Sequence, residues 1–291
     1  MVTIDRDLYP FESNFFDTGA AQLHYLDEGE GEPVVMVHGN PSWSFYYRDV
    51  VQALRGTHRC IVPDHVGCGL SEKPGDDDYE YTLGSRVDDL TALLDRLEPD
   101  RQITLILHDW GGAIGMAWAV RHPQRVKRIV LLNTGAFRNP ADQSLPPSLW
   151  LVRNTPLGSL LVRGFNAFSA GATRMAVVNK MDPKVRAAYV APYDNWTNRI
   201  ATLRFVQDIP LTESDAAFSV VVETEKGLEQ FRETPILICW GEQDFVFDDA
   251  FLTEWERRLP NAEVHRYPDA GHYVLEDAGS DIIPRIQRFL S

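Results

Sequence analysis

Ile103-Thr104-Leu105-Ile106-Leu107-His108-Asp109-Trp110-Gly111-Gly112-Ala113-Ile114-Gly115 is the stretch whose reading decides the fold. Its first five residues form a short apolar run with β-branched members, the pattern of a buried strand. Beyond the glycines, Ala113, Ile114, Met116, Ala117, Trp118 and Val120 read as a mostly apolar helix. Between the two stands a charged residue, Asp109, with Trp110 and the Gly111-Gly112 pair behind it. A strand that turns directly into a helix through glycines leaves the corner residue exposed on a sharp bend, a position suited to a nucleophile. Asp109 is therefore read as a carboxylate nucleophile.

The pattern on either side of this corner supports a parallel sheet. Residues 14–27 look like a hairpin turning at Asp17-Thr18-Gly19. Val34–Val37, Arg59–Pro63 and Arg128–Leu132 are short apolar strands, and Ser42–Leu54 and Tyr81–Leu97 read as helices between them. Such alternation is that of a sheet covered by helices. The character changes after Asn133. Residues 135 to about 215 contain Pro140, Pro146, Pro147, Pro156, Pro183, Pro192 and Pro210 and no clear strand. Alternation resumes with a helix near Asp215–Phe231, strand Pro235–Trp240, helix Phe251–Leu259, strand Glu263–Tyr267 and a last helix from about Ile282 to Phe289. The expected organisation is a core of residues 1–134 and 216–291 carrying a helical cap of residues 135–215. Some of Trp150, Phe165, Phe168, Tyr189 and Tyr193 should line an apolar pocket beneath that cap.

Composition narrows the function classes. The chain has 291 residues and a net charge of -14, which argues against a nucleic-acid footprint and against binding an anionic membrane surface. Residues 1–20 hold several acidic residues and no apolar core of a signal peptide, and no apolar run reaches membrane-spanning length. Three cysteines form no Cys-x-x-Cys pair, so no disulfide framework is read and a cytoplasmic location is expected. No histidine shows metal-ligand spacing, so neither a metal nor another cofactor is expected.

Ligand-binding residues of open α/β sheets gather at the carboxyl ends of strands. Four such positions carry polar residues able to converge: Asn40, Asp109, Asp244 and His272. Nucleophile, acid and histidine then follow in that chain order. A carboxylate is ionised near neutral pH and needs no base to free it for attack. It can form an alkyl ester, leaving the histidine to activate water for the second step, with Asp244 orienting the imidazole. Backbone N–H groups of Asn40 and Trp110 are the expected oxyanion donors. Asp248 and Asp249 compete with Asp244 but better suit the start of the next helix. Gly67-x-Gly69 lacks the lysine and helix of a phosphate loop and is read as turn chemistry.

Taken together, these motifs resemble an α/β-hydrolase fold with an Asp nucleophile, and specifically the haloalkane dehalogenase family. His38-Gly39-Asn40-Pro41 with Ser42-Trp43-Ser44 resembles that family's first loop, and His108 to Gly112 resembles its elbow. The resemblance implies that the side chains of Asn40 and Trp110 bind the departing halide. Asp64 to Ser71 is similar to the Asp-x-x-Gly-x-Gly-x-Ser loop of the wider fold. One branch of the family takes its acid from a Glu near the Asn133 position, so here the acid should be Asp244. The Asp–His–Asp set with an Asn–Trp pair is similar to the third subfamily, which also includes β-lactone decarboxylases of olefin biosynthesis. The leading expectation is hydrolytic dehalogenation of a small apolar haloalkane. β-Lactone decarboxylation is one alternative. Epoxide hydrolysis is another, with Tyr189 and Tyr193 as candidate acids; Asn40 and Leu107 stand where epoxide hydrolases usually carry other residue types. The oligomeric state is left open.

Overall fold

The computed structural model describes residues 4–98, 100–140 and 145–291. Among the described residues, eight strands form one sheet: β1 (Asn14–Asp17), β2 (Gln22–Glu28), β3 (Glu32–Val37), β4 (His58–Pro63), β5 (Ile103–Asp109), β6 (Val126–Thr134), β7 (Ile236–Gly241) and β8 (Glu263–Tyr267). Their spatial order is β1-β2-β4-β3-β5-β6-β7-β8. β2 pairs antiparallel with both β1 and β4; every other pair is parallel. All seven residues of β5 are buried, as are all six of β7. Helices cover both faces of these central strands, which is why they read as unbroken apolar runs and not as alternating ones.

Eleven α-helices are present among the described residues: α1 (Arg48–Leu54), α2 (Leu83–Leu97), α3 (Trp110–Arg121), α4 (Pro147–Asn154), α5 (Pro156–Phe165), α6 (Ala167–Met175), α7 (Pro183–Val190), α8 (Ile200–Gln207), α9 (Phe218–Gly227), α10 (Asp249–Arg258) and α11 (Val274–Leu290). Leu105 and Leu107 of β5 face a core shared with Leu90 of α2, Trp118 of α3 and Trp255 of α10. Ile106 faces the other way, into a core shared with Val50 of α1 and Ile286 of α11. The period of two along β5 thus serves two layers at once. No strand occurs between β6 and β7 among the described residues, as expected. No described helix is long and apolar enough to cross a membrane.

Most boundaries shift by one or two residues, and three elements depart further from the sequence reading. Ser42–Leu54 is not one helix: a 3-10 turn, Ser44–Tyr47, precedes α1. Asp215–Phe231 shortens to α9 followed by another 3-10 turn. The last helix starts at Val274 and not near Ile282. Its first two turns hold Glu276, Asp277, Gly279 and Ser280, polar or glycine residues that break the apolar periodicity while acids favour a helix N-terminus. Ala278 leaves helical geometry inside it, which marks the joint between the two parts.

Candidate active site

Asp109 ends β5 and caps α3 with φ 53° and ψ -127°, a left-handed conformation that L side chains rarely adopt. The bend is held on several sides. The Thr134 hydroxyl donates to the Asp109 carbonyl, and the backbone N–H groups of Asn40 and Trp110 donate to its carboxylate, the first at 2.5 Å on Oδ1. Space is as tight as the angle: a Cβ on Gly39 would strike the Asp109 carboxylate, and one on Gly112 would strike Thr134. Burial raises the pKa of the Asp109 carboxyl, against the charge of His272 and the two backbone donors.

His272 lies between β8 and α11, with Nε2 3.5 Å from Asp109 Oδ2 and Nδ1 2.7 Å from Asp244 Oδ2. Since Nδ1 donates to a carboxylate, Nε2 is the nitrogen left to face Asp109. Burial disfavours the imidazolium, but the charge and hydrogen bond of Asp244, with the charge of Asp109, outweigh it and raise the His272 pKa. Asp244 stands behind the histidine, buried, its Oδ1 accepting the Val246 N–H at 2.7 Å. Asp248 caps α10 through the Ala250 N–H, the helix-start position read for it.

Asn40, Asp109, Trp110 and His272 line one cavity of about 330 Å³. Its walls are otherwise largely apolar: Leu149 and Val152 of α4, Val162 of α5, Phe168 of α6, Val206 of α8 and Phe251 of α10. The Asn40 amide is turned so that Nδ2 donates to the Thr202 carbonyl of α8 at 3.1 Å, while its buried Oδ1 has no partner. An amide donates to a carbonyl only through nitrogen, so Thr202 sets which end of Asn40 is a donor. Of the five aromatics expected near the pocket, Phe168 alone lines it. Trp150 and Phe165 face outward, whereas Tyr189 donates to Glu276 at 2.6 Å and Tyr193 to the Ser42 carbonyl at 3.3 Å. Neither tyrosine reaches the cavity, which leaves the epoxide reading without its acid.

Three further residues organise this site to which the sequence reading gives no role. Asn133, at φ 34°, donates from Nδ2 to Asp244 Oδ2 at 3.0 Å and accepts the Gly241 N–H on Oδ1 at 2.8 Å. His108 donates from Nε2 to the His272 carbonyl at 2.8 Å and stacks on Tyr46. Asp277 accepts the Gly271 N–H at 2.9 Å, fixing the loop that carries His272. Asn133 and His108 each stand at a strand end beside a glycine motif, a signal that was present in the chain. Asp64 anchors the first loop similarly, taking N–H donors from Ser44 and Leu70 and the His24 imidazole. Burial raises its pKa, yet His24, the charge of His38 and the Leu70 N–H outweigh it and hold the carboxyl at about 2. Gly67 and Gly69, both at positive φ, make the turn in the Asp64–Ser71 loop. The three cysteines are buried and free, and no group of three or more His, Cys, Asp or Glu among the described residues is placed to hold a metal.

Comparison with known proteins adds a family to this geometry. Residues 32–279 match the model of the alpha/beta hydrolase fold family. A cis-3-alkyl-4-alkyloxetan-2-one decarboxylase of Shewanella oneidensis is 56% identical over 285 residues, 98% of this chain and 90% of that protein. Haloalkane dehalogenase 2 of Mycobacterium bovis is 34% identical over 290 residues, 99% of this chain and 98% of that protein. A crystal structure of a haloalkane dehalogenase from Agrobacterium tumefaciens superposes with a TM-score of 0.84 at 27% identity, covering 96% of each chain.

Proposed function

From the premise that the chain belongs to the alpha/beta hydrolase fold family, alongside haloalkane dehalogenase homologues, we propose that it decarboxylates cis-3,4-dialkyl β-lactones to alkenes. The observation that carries this reading is the 56% identity, over nearly the whole chain, to a protein named for that reaction. It reverses the order expected from sequence motifs, in which dehalogenation came first. A roomy apolar cavity with a single carboxylate at its floor supports it, because two alkyl chains need apolar walls and the four-membered ring needs one nucleophile.

The chemistry follows from the positions of the groups. Asn40 N–H holds Asp109 Oδ1, leaving Oδ2 free to attack C4 of the lactone ring. The C4–O bond breaks, its electron pair stays on the ring oxygen, and an ester to Asp109 forms beside a free substrate carboxylate. That carboxylate then leaves as carbon dioxide: the C2–C3 pair becomes the C3–C4 double bond, and the ester oxygen recovers its pair as Asp109. No water and no net proton are consumed. Attack with inversion followed by anti elimination turns a cis lactone into a cis alkene. Asn40 and Trp110 donate to the developing carboxylate, and a protonated His272, held by Asp244, stabilises negative charge in both steps. Residues 135–215 act as the cap that keeps this site dry, over a core of residues 1–134 and 216–291.

Dehalogenation is kept as a second reading because one observation favours it: the Asn40 and Trp110 side chains converge with Asp109 on one cavity. In that reaction His272 must be neutral, so that Nε2 can activate water against the Asp109 ester. Incubation with a cis-β-lactone and with bromoalkanes in ¹⁸O-water separates the two. The expected result is alkene and carbon dioxide in equal amounts. Release of bromide with ¹⁸O in an alcohol, and no alkene from the lactone, would reverse the order.

A further inference from the structure

The outer surface of the helical insertion is built the wrong way round for a soluble face. At 100° per residue, Leu157, Leu160, Leu161, Gly164 and Phe165 share one side of α5. Gly158 and Val162, next to Phe165 around the helix, are the residues buried against the protein, and Ser159 and Arg163 take the side opposite the leucines. Leu157, Leu160 and Phe165 are exposed, by 54, 47 and 71%. A surface helix ordinarily turns its polar residues outward. Leu161 joins this face to the cavity, which it lines together with two more exposed apolar residues, Met175 and Phe245. The apolar interior of the site and the apolar exterior of α5 thus run into each other at the cavity mouth.

Charge identifies what covers such a face. Between Leu145 and Met181 the chain carries Arg153, Arg163, Arg174 and Lys180 and no Asp or Glu, within a protein of net charge -14. Arg153 pairs with Asp215, but Arg163, Arg174 and Lys180 form no ion pair among the described residues. Arg163 instead lies over the ring of Trp196, itself half exposed beside α5. Leucines and a phenylalanine flanked by unpaired cations and a tryptophan are the composition of a segment that lies in a lipid interface. The overall acidity that argued against a membrane surface is absent from this one segment.

We propose that the outer face of α5, with the cavity mouth at its edge, docks on an anionic lipid surface, from which the site draws its substrate. The last clause rests on the dialkyl lactone reading; the docking itself rests on the face. The apolar side chains would enter the acyl boundary by roughly 5–10 Å while the arginines stay at headgroup level. Product alkene, having no polar group, would leave by the same route.

Flotation of the full-length protein with phosphatidylcholine–phosphatidylglycerol vesicles tests this. The wild type should float, with Trp fluorescence shifted to the blue. Leu157→Ser/Leu160→Ser/Phe165→Ser should weaken binding by roughly tenfold or more, because three exposed apolar side chains are lost without disturbing the core. Arg174→Gln/Lys180→Gln should weaken it only on vesicles containing the anionic lipid. A wild type that stays unbound at every lipid concentration overturns the proposal, as does a dimer that the triple substitution dissociates while no lipid binds. Turnover of a short-chain, water-soluble β-lactone is measured separately. Floating without such turnover removes the substrate reading and keeps the lipid surface; turnover without floating does the reverse.

Discussion

The strand ends and the helical insertion are built by different rules. At the strand ends, each candidate catalytic group is held by named polar contacts: Asp109 by Asn40, Trp110 and Thr134, His272 by Asp244 and His108, Asp244 by Asn133 and Val246. Facing them, the insertion contributes mostly apolar side chains to the same cavity, and most of its polar ties to the core lie away from Asp109. The Thr202 carbonyl meets Asn40, Asp208 accepts the Leu83 N–H at 2.5 Å, and Tyr189 meets the Arg48–Glu276 pair. Chemistry needs fixed angles, which hydrogen bonds impose; alkyl chains need volume, which dispersion and burial provide without direction. One half of the site is therefore expected to set the reaction and the other to set the range of substrates.

That division breaks first at Asp109. Asp109→Ala should lower alkene formation by roughly 10⁴-fold or more, since no other carboxylate lines the cavity among the described residues. Alkene formed at a near-wild-type rate, measured by gas chromatography, would take the reaction away from the strand ends altogether.

pH sharpens the comparison next. Decarboxylation uses Asp109 ionised and His272 protonated, and the two stand 3.5 Å apart. Its rate should fall on the acid side as Asp109, with its pKa raised by burial, takes up a proton. It should fall again on the alkaline side, by about tenfold per pH unit, once pH passes the raised pKa of His272. Hydrolysis of an alkyl–Asp109 ester has the opposite dependence on the histidine and should rise through the same range. A lactone profile that climbs with pH would show that neutral His272 is the working form.

Smaller effects follow at the supports. Asn133→Ala takes from Asp244 one of its three donors and opens the tie to Gly241. A loss of about 1–3 kcal/mol in stability and roughly tenfold in kcat should result, read by thermal unfolding and by kinetics. Phe168→Trp, on the apolar side, should change kcat for a short-chain lactone by no more than about threefold while raising KM for long chains several-fold. Equal losses on both substrates would deny the insertion its separate role.

How much of this was legible in the chain differs by residue. Asp109, Asp244, His272 and the strand-end position of Asn40 could be read because glycine motifs and strand patterning are local signals. Asn133 was noticed only as the place where another branch keeps its acid; that its amide would turn to hold Asp244 depends on β6 and β7 being neighbours. The insertion was legible as helical and apolar, but its lining was not. Trp150, Phe165, Tyr189 and Tyr193 have the composition of pocket residues and lie elsewhere, because composition carries no information about which side of a short helix faces in.

By itself, the sequence determined the alternation of strands and helices, the corner at Asp109 and the placing of Asp109, Asp244 and His272 at strand ends. These rest on backbone propensity, glycine and apolar period within a few residues of one another. Only the tertiary structure decided that Thr202 orients Asn40, that Asn133 braces Asp244, that the two candidate tyrosines point away, and that α5 turns its leucines outward. Each of those is a contact or an orientation set by segments far apart in the chain, and the closing of the chain upon itself is what brings such partners within hydrogen-bond or van der Waals range.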